Sequence, residues 1–148
     1  VSLLSTVGAH WQPVKFARVV VPDPSLHAKI AVTLIGKRGR NVCMTVFLQG
    51  AGGGCCAVGL LLKPFNVMSM SGLDVSPDGG EVLAGMASDD VARLELFLPH
   101  GRHRPVPLVD NAFIAEVPAD DYPVGLVAYD RSGLVIGRYG STGPVRLK

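Results

Sequence analysis

The sequence predicts an all-β protein, with an antiparallel β-sandwich in its C-terminal half and a smaller N-terminal β-subdomain before it. Short apolar runs alternate with turn residues throughout the stretch 91–139, which is typical of antiparallel strands joined by tight turns. The 148 residues include 18 glycines and 11 prolines, which favours strands and turns over helices. With 48% hydrophobic and 18% charged residues, the chain is apolar enough to bury a core.

The clearest strand prediction is Val91–Leu98. Alternate residues from Ala92 to Leu98 are apolar, whereas Arg93 and Glu95 lie between them. Because side chains alternate with period two along a strand, the apolar set is predicted to face the core and the charged pair to face solvent.

A second strand, Arg104–Leu108, returns after turn residues at Pro99 and Gly101. Pro105 and Pro107 have no backbone N–H to donate to a ladder, so this strand is predicted to lie at a sheet edge. Three further strands follow, separated by turn residues, at Phe113–Val117, Val124–Tyr129 and Leu134–Tyr139. Five strands at spacings of roughly 8–12 residues indicate a sandwich or a small barrel.

The N-terminal half also has a β pattern. Its predicted strands are Val14–Val21, Lys29–Ile35, Val42–Leu48 and Cys56–Leu62. The stretch 69–80 is rich in glycine, proline and aspartate and has no period, so we place a linker at 73–80 between subdomains 1–72 and 81–148.

The glycine-rich segment Gly50–Gly54 resembles a nucleotide-binding loop only superficially. Cysteines follow its last glycine, where a phosphate-binding loop has lysine and then serine or threonine. The dinucleotide pattern fails as well, because Cys55 stands where a glycine is required. A flexible hairpin loop is therefore predicted.

The three cysteines, Cys43, Cys55 and Cys56, are candidates for a structural disulfide. A hairpin would bring Cys43 opposite one of the adjacent pair, and neighbouring strand residues point to opposite faces, so only one of the two can bridge it. Metal ligation is disfavoured because the CxxC spacing is lacking. A cysteine nucleophile needs a histidine base, and the sequence leaves four histidines open as partners: His10, His27, His100 and His103.

The remaining charged residues carry no catalytic pattern. The aspartates fall in turns or at strand ends, where their side chains commonly bind nearby backbone N–H groups. The basic turn of Arg102, His103 and Arg104 is a candidate contact for an anion or an acidic partner, against the default of a solvated hairpin tip. No catalytic, cofactor-binding or metal-binding residue is assigned, and no cofactor is expected.

Charge and hydropathy limit the classes of partner. The small net charge of +2 gives no reason to expect nucleic acid as a partner, because nucleic-acid binding normally requires a concentrated basic face. No apolar run approaches the roughly 18 residues that a membrane-spanning helix needs. The first residues, Val1 to Ser5, carry neither an initiating methionine nor a basic region, which predicts a processed or excised segment.

The run from Val82 to Gly137 resembles the Ig-like β-module of uncharacterised secreted or membrane-anchored actinobacterial proteins. The matching positions are turn and core residues: Gly85, Asp89 or Asp90, Val91, Leu94, Asp110, Asn111, Phe113, Asp130 and Gly133. The cysteines around a glycine-rich segment are similar too, whereas the doubled cysteine and the basic segment Lys37 to Arg40 depart from the pattern. The resemblance implies an Ig-like C-terminal half and an extracytoplasmic setting, and it supplies no catalytic residue.

The expected function is that of a non-catalytic extracytoplasmic module, binding or structural, that acts through protein–protein contacts. Its edge strands, among them the proline-bearing strand at 104–108, are expected to pair with a partner by strand addition. A protein partner or self-association is expected. Two alternatives remain. One is a cysteine-dependent hydrolase or transferase, and the other is a self-assembling filament or shell subunit that associates through Phe97 and the edge strands.

Overall fold

The computed structural model describes residues 16–20, 28–35, 41–48, 51–58, 64–71, 78–141 and 143. In these ranges the chain forms eleven strands and one 3-10 turn at Pro99–Gly101, which confirms the all-β prediction. None of the described residues belongs to a helix long and apolar enough to cross a membrane. The predictions for Trp11, His10, His27 and the basic segment Lys37 to Arg40 lie outside the described residues.

The N-terminal sheet is an antiparallel meander with the order β1-β2-β3-β4. Its strands are β1 (Phe16–Val20), β2 (Ala28–Ile35), β3 (Asn41–Leu48) and β4 (Ala51–Val58). The first three agree closely with the predicted strands, because β-branched runs ended by glycine or proline leave little ambiguity about type.

The fourth strand corrects the prediction of a flexible glycine-rich loop. Ala51 to Gly54 belong to β4, and Gly53 and Gly54 lie opposite Val46 and Thr45 of β3 in the antiparallel register. Glycine weakens a strand because it has no side chain to pack, but its backbone adopts the extended conformation without strain. Pairing with β3 therefore holds these glycines in a strand, although their composition alone suggests a loop.

The C-terminal half contains two further antiparallel sheets. The three-stranded sheet has the order β5-β6-β9 and the four-stranded sheet the order β11-β10-β7-β8. The strands of the first are β5 (Phe65–Ser71), β6 (Glu81–Ala87) and β9 (Ala112–Val117). Those of the second are β7 (Arg93–Phe97), β8 (His103–Val106), β10 (Gly125–Tyr129) and β11 (Val135–Gly140). The chain crosses between these sheets after β6, β8 and β9, so strands distant in sequence lie side by side.

These two sheets face each other across one apolar core, which confirms the predicted sandwich. The core joins residues of both sheets, chiefly Leu83, Leu94, Leu96, Leu98, Val106, Phe113, Val117, Val124 and Leu126. The Phe113 side chain is fully buried, and the Phe65 ring meets it edge to face with 6.4 Å between ring centroids. The two rings thus link the edge strands β5 and β9 across β6.

Two details of the strand Val91–Leu98 differ from the prediction. Ala92, expected in the core, is exposed, and Val91 is buried in its place. The ladder begins only at Arg93, so the period-two pattern does not extend to the preceding residues. Glu95, expected in solvent, is only 9% exposed because neighbouring side chains cover it.

The three-stranded sheet is covered on both faces. Val82, Ala84 and Ile114 alternate with its core residues and so point away from the sandwich core, yet all three are buried. On that side β3 approaches β6, and Val46 of β3 is fully buried. β3 of the N-terminal sheet therefore lies against this face.

β5 joins the sheet of the C-terminal half although it precedes the predicted linker 73–80. It pairs with β6 along its whole length, from Phe65 opposite Ala87 to Ser71 opposite Glu81. Residues 72–77 lie outside the described residues, and 78–80 form a turn in which the Gly80 N–H donates to Asp78 Oδ1 at 2.9 Å.

Candidate functional site

The basic turn does not gather its three cations. The Arg102 guanidinium pairs with the Asp121 carboxylate. His103 instead stacks on the Phe97 ring, with 5.2 Å between ring centroids. Arg104 donates to the backbone oxygen of Glu116 on β9. Two of the three side chains therefore hold separate parts of the fold through polar contacts, and the three do not converge on one anion.

Around Glu95, polar side chains form a group that we call the Glu95 cluster: Arg93, Glu95, His103 and Tyr129. Arg93 forms an ion pair with Glu95, and its guanidinium carbon lies 4.0 Å from the Tyr129 ring centroid. His103 Nδ1 is 3.9 Å from the other Glu95 carboxylate oxygen. Burial, and then the negative charge of Glu95, raise the pKa of Tyr129, while Arg93 opposes them. Arg93, Glu95 and Tyr129 contact one another, which is the arrangement of a structural polar group, whereas His103 lies beyond hydrogen-bond distance of Glu95.

Gly143, beyond β11, lies against this outer face of the four-stranded sheet. Arg138 Nη2 donates to the Gly143 backbone oxygen at 3.2 Å. A Cβ atom added to Gly143 would lie 2.9 Å from Val127 Cγ2 and 3.4 Å from the Phe97 ring. Val127 is fully buried as a result, so the centre of this face is closed.

The aspartates act as turn formers. Asp130 Oδ1 accepts hydrogen bonds from the N–H groups of Ser132 and Leu134, at 2.9 Å each, and from the Ser132 hydroxyl at 2.7 Å. The Ser132 hydroxyl is the main cause of a lowered Asp130 pKa, and the backbone N–H groups add to it. Across the described parts of the chain, no three histidine, cysteine or acidic side chains are grouped as metal ligands.

One end of the sandwich carries an aromatic and acidic contact. The Tyr122 hydroxyl donates to Glu81 Oε2, which ties the loop before β10 to the start of β6. Burial, followed by the hydrogen bond to Glu81, raises the pKa of Tyr122 to about 12. This contact is a link between the two sheets rather than a convergent site.

The cysteines occupy a defined register in the N-terminal sheet. Cys43 of β3 lies opposite Cys56 of β4, and Cys55 lies opposite Met44. Directly opposed positions in an antiparallel pair are about 4.5 or 5.5 Å apart at Cα, within the range for a disulfide. The register therefore distinguishes Cys56 from Cys55, which the sequence alone does not.

The edge of β8 is a poor template for another strand. The Leu98 N–H donates to the Arg102 oxygen at 2.8 Å, and this fixes which residues of β8 bond to β7. By alternation, His103 and Pro105 direct their backbone groups outward. Pro105 has no N–H, so the edge lacks a donor at its centre, as the prediction of a proline-bearing edge strand requires.

The edge of β9 is also occupied. The Ala87 N–H donates to the Asn111 oxygen at 2.7 Å, which makes Ala112, Ile114 and Glu116 the outward-facing residues. Ala112 exchanges two hydrogen bonds of 2.9 Å with Val109 across the preceding turn, and the Glu116 oxygen accepts from Arg104. Local contacts thus use both ends of this edge.

The edge of β5 differs from these two because β5 carries neither proline nor charge, although β4 comes near β5. The Ser88 N–H donates to the Pro64 oxygen at 2.8 Å, so Phe65, Val67, Ser69 and Ser71 direct their backbone groups away from β6. The strand FNVMSMS contains no proline and no charged residue, and Ser69 and Ser71 are exposed. Within the described chain β6 is its only sheet partner. We call this outward side of β5 the β5 edge.

No strand is predicted at 65–71 from the sequence alone. Its signal was a short run, Phe65–Ser71, that begins directly after Pro64 and alternates apolar and polar residues only in part. The edge position of β5 depends on the order of strands in the sheet, and the periodicity of a sequence does not give that order.

Comparison with protein-family models, curated proteins and solved structures finds no match for this chain.

Proposed function

We propose that this protein is a non-catalytic binding module that takes up an extended polypeptide segment at the β5 edge. One observation carries the proposal: β5 is uncharged and free of proline, with Ser69 and Ser71 exposed, whereas Pro105 and Arg104 block the edges of β8 and β9. Natural sheets commonly protect their edges with charge, proline or covering groups, so an edge without these devices is suited to pairing.

Main-chain hydrogen bonds would supply most of the affinity. The outward N–H and C=O groups of Val67, Ser69 and Ser71 repeat at every second residue, which matches the spacing of an added antiparallel strand. The half-buried Met68 and Met70 lie on one face of the strand and offer adaptable apolar contacts to the incoming segment. Such a site selects an extended, uncharged segment.

We further propose that the C-terminal half is an Ig-like module that works outside the cytoplasm. Seven strands divided three and four between two facing antiparallel sheets support the first part. The register of Cys43 opposite Cys56 supports the second, because disulfides form and persist in oxidising compartments.

A displayed library of random heptapeptides tests the binding proposal. The library is selected on the wild-type protein and on the Ser69→Pro variant, in which proline removes the outward N–H while the Met68 and Met70 bonds to β6 remain. We expect extended, uncharged peptides to be enriched on the wild type and on Ser69→Thr, and to be lost on Ser69→Pro. No enrichment, or equal enrichment on all three proteins, would refute the proposal.

A further inference from the structure

We infer that the segment taken up at the β5 edge is β5 of a second copy of this chain, so that the protein forms a two-fold symmetric dimer. The inference rests on the proposed use of the β5 edge, and it names the partner. Two three-stranded sheets would join through β5 into one antiparallel sheet of six strands.

The register of this pairing is determined by which residues of β5 direct their backbone N–H and C=O groups outward. Because odd-numbered residues direct their backbone groups outward, a two-fold axis at Ser69 makes Ser69 and its copy a hydrogen-bonded pair. Val67 then pairs with Ser71 of the other copy, and Ser71 with Val67. The most exposed part of the strand lies at the centre of the interface.

Side-chain chemistry suits self-pairing in this register. Serine lies opposite serine at the axis, and Met68 lies opposite Met70 of the second copy on the other face. Like charges directly opposite each other destabilise a strand pair, and β5 brings none. A segment that pairs with itself must be free of such charges, and Phe65–Ser71 meets this condition.

The other edges of the two C-terminal sheets favour a closed dimer over a filament. Pro105 interrupts the β8 edge, and Arg104 and Val109 occupy the β9 edge. β11 carries the charged Arg138, and charge is one of the devices that protect a sheet edge. Of the edge strands of these two sheets, β5 alone carries neither proline nor charge, so β5 of a second copy is the matching edge. An interface that joins identical surfaces closes after two subunits.

Sedimentation equilibrium of the full 148-residue chain under reducing conditions tests the dimer, since reduction removes disulfide-linked species. Each Ser69→Pro substitution removes one N–H at the axis, and the symmetric dimer loses two hydrogen bonds. We expect the dimer dissociation constant to rise about tenfold to a hundredfold. Ser69→Thr keeps the N–H and should leave the constant unchanged. A wild-type monomer at all concentrations would overturn the inference.

A charge-pairing experiment tests the register and does not depend on the folding of the proline variant. Ser69 is exposed, so Ser69→Lys and Ser69→Glu can fold, and in the dimer each places like charges opposite each other. We expect each variant alone to be monomeric and their equimolar mixture to form a heterodimer. Homodimers of either variant as strong as the wild-type dimer would overturn the inference.

The two proposals fail in different ways. A monomeric protein that still enriches peptides at the β5 edge overturns the symmetric dimer and leaves the binding module standing. A Ser69-dependent dimer that enriches no peptide supports self-association and overturns the uptake of other segments.

Discussion

The guanidinium of Arg104 on β8 donates a hydrogen bond to the backbone oxygen of Glu116 on β9, and so links the two C-terminal sheets along one side of the sandwich. The Glu116 oxygen is an outward-facing acceptor of an edge strand. One side chain therefore both joins the sheets and covers part of an edge. β5 itself carries no charged side chain that could form a corresponding contact.

Replacing Arg104 with alanine should uncover the β9 edge. The Glu116 oxygen loses its donor but can bind water, so we expect a loss of about 1 kcal/mol in the free energy of unfolding. The uncovered edge should also allow species larger than a dimer, detected by light scattering at rising concentration. Arg131→Ala, in the exposed turn after β10, is the control. Unchanged stability together with unchanged scattering would contradict this role of Arg104.

Oxidised protein should contain a Cys43–Cys56 bridge and one free thiol at Cys55, because the register opposes Cys43 and Cys56. Thiol counting after unfolding without reductant, followed by peptide mapping, checks this. Closing a loop of this length stabilises the fold by about 3 kcal/mol, so Cys56→Ser should lower stability by that amount under oxidising conditions. Cys55→Ser should not. A Cys43–Cys55 bridge, or three free thiols, would disprove the pairing.

Stability should fall at high pH because of Tyr122. Its pKa rises from the ordinary 10.0 to about 12 in the folded state. Below the pKa of Tyr122 in the unfolded state, the folded and unfolded proteins both keep the tyrosine proton, and the contribution to stability is complete. Between the unfolded and folded pKa values only the unfolded protein loses this proton, so stability declines as pH rises. Tyr122→Phe should flatten this decline, and Glu81→Gln should lower the Tyr122 pKa. Denaturant midpoints and tyrosinate absorbance across the alkaline range measure both, and an unchanged decline in Tyr122→Phe would refute the assignment.

Gly85 should tolerate no side chain. A Cβ atom there would overlap the Asn66 backbone oxygen and lie 2.5 Å from Cζ of the buried Phe113 ring. We expect Gly85→Ala to cost about 3 kcal/mol of unfolding free energy. Gly79→Ala is the control, since nothing lies within 4 Å of a Cβ atom there and only its positive φ of 77° opposes the change, at about 1 kcal/mol. Equal costs in chemical denaturation would contradict the packing argument.

The sequence predicts β7 to β11 well because their turns have local causes. Asp110 and Asn111 take positive φ values of 50° and 66° in a tight turn, and Gly133 takes 85° in the next. Few residue types adopt such conformations readily, so these turns can be predicted from the local sequence. β6 is different, because it is buried on both faces and shows no alternation between apolar and polar residues.

The position of the β5 edge and the contacts of the Glu95 cluster depend on how the strands are arranged in the sheets, which no local sequence pattern gives. Sheet order makes β5 an edge, and the burial of Glu95 follows from Arg93 and from His103 on the neighbouring strand. Arg104 and His103 serve different contacts because adjacent strand residues point to opposite faces. Periodicity gives the faces of each strand, but only the assembled sheets show which edge is left open.

The consecutive order of the N-terminal sheet has a consequence for synthesis on the ribosome. Each of its ladders joins neighbouring hairpin strands, so the sheet 16–58 needs no contact from later residues to pair. The sandwich pairs β6 with β9 and β7 with β10, and these ladders must wait until distant segments have emerged. The N-terminal sheet can therefore form first and give the three-stranded sheet a surface on which to assemble.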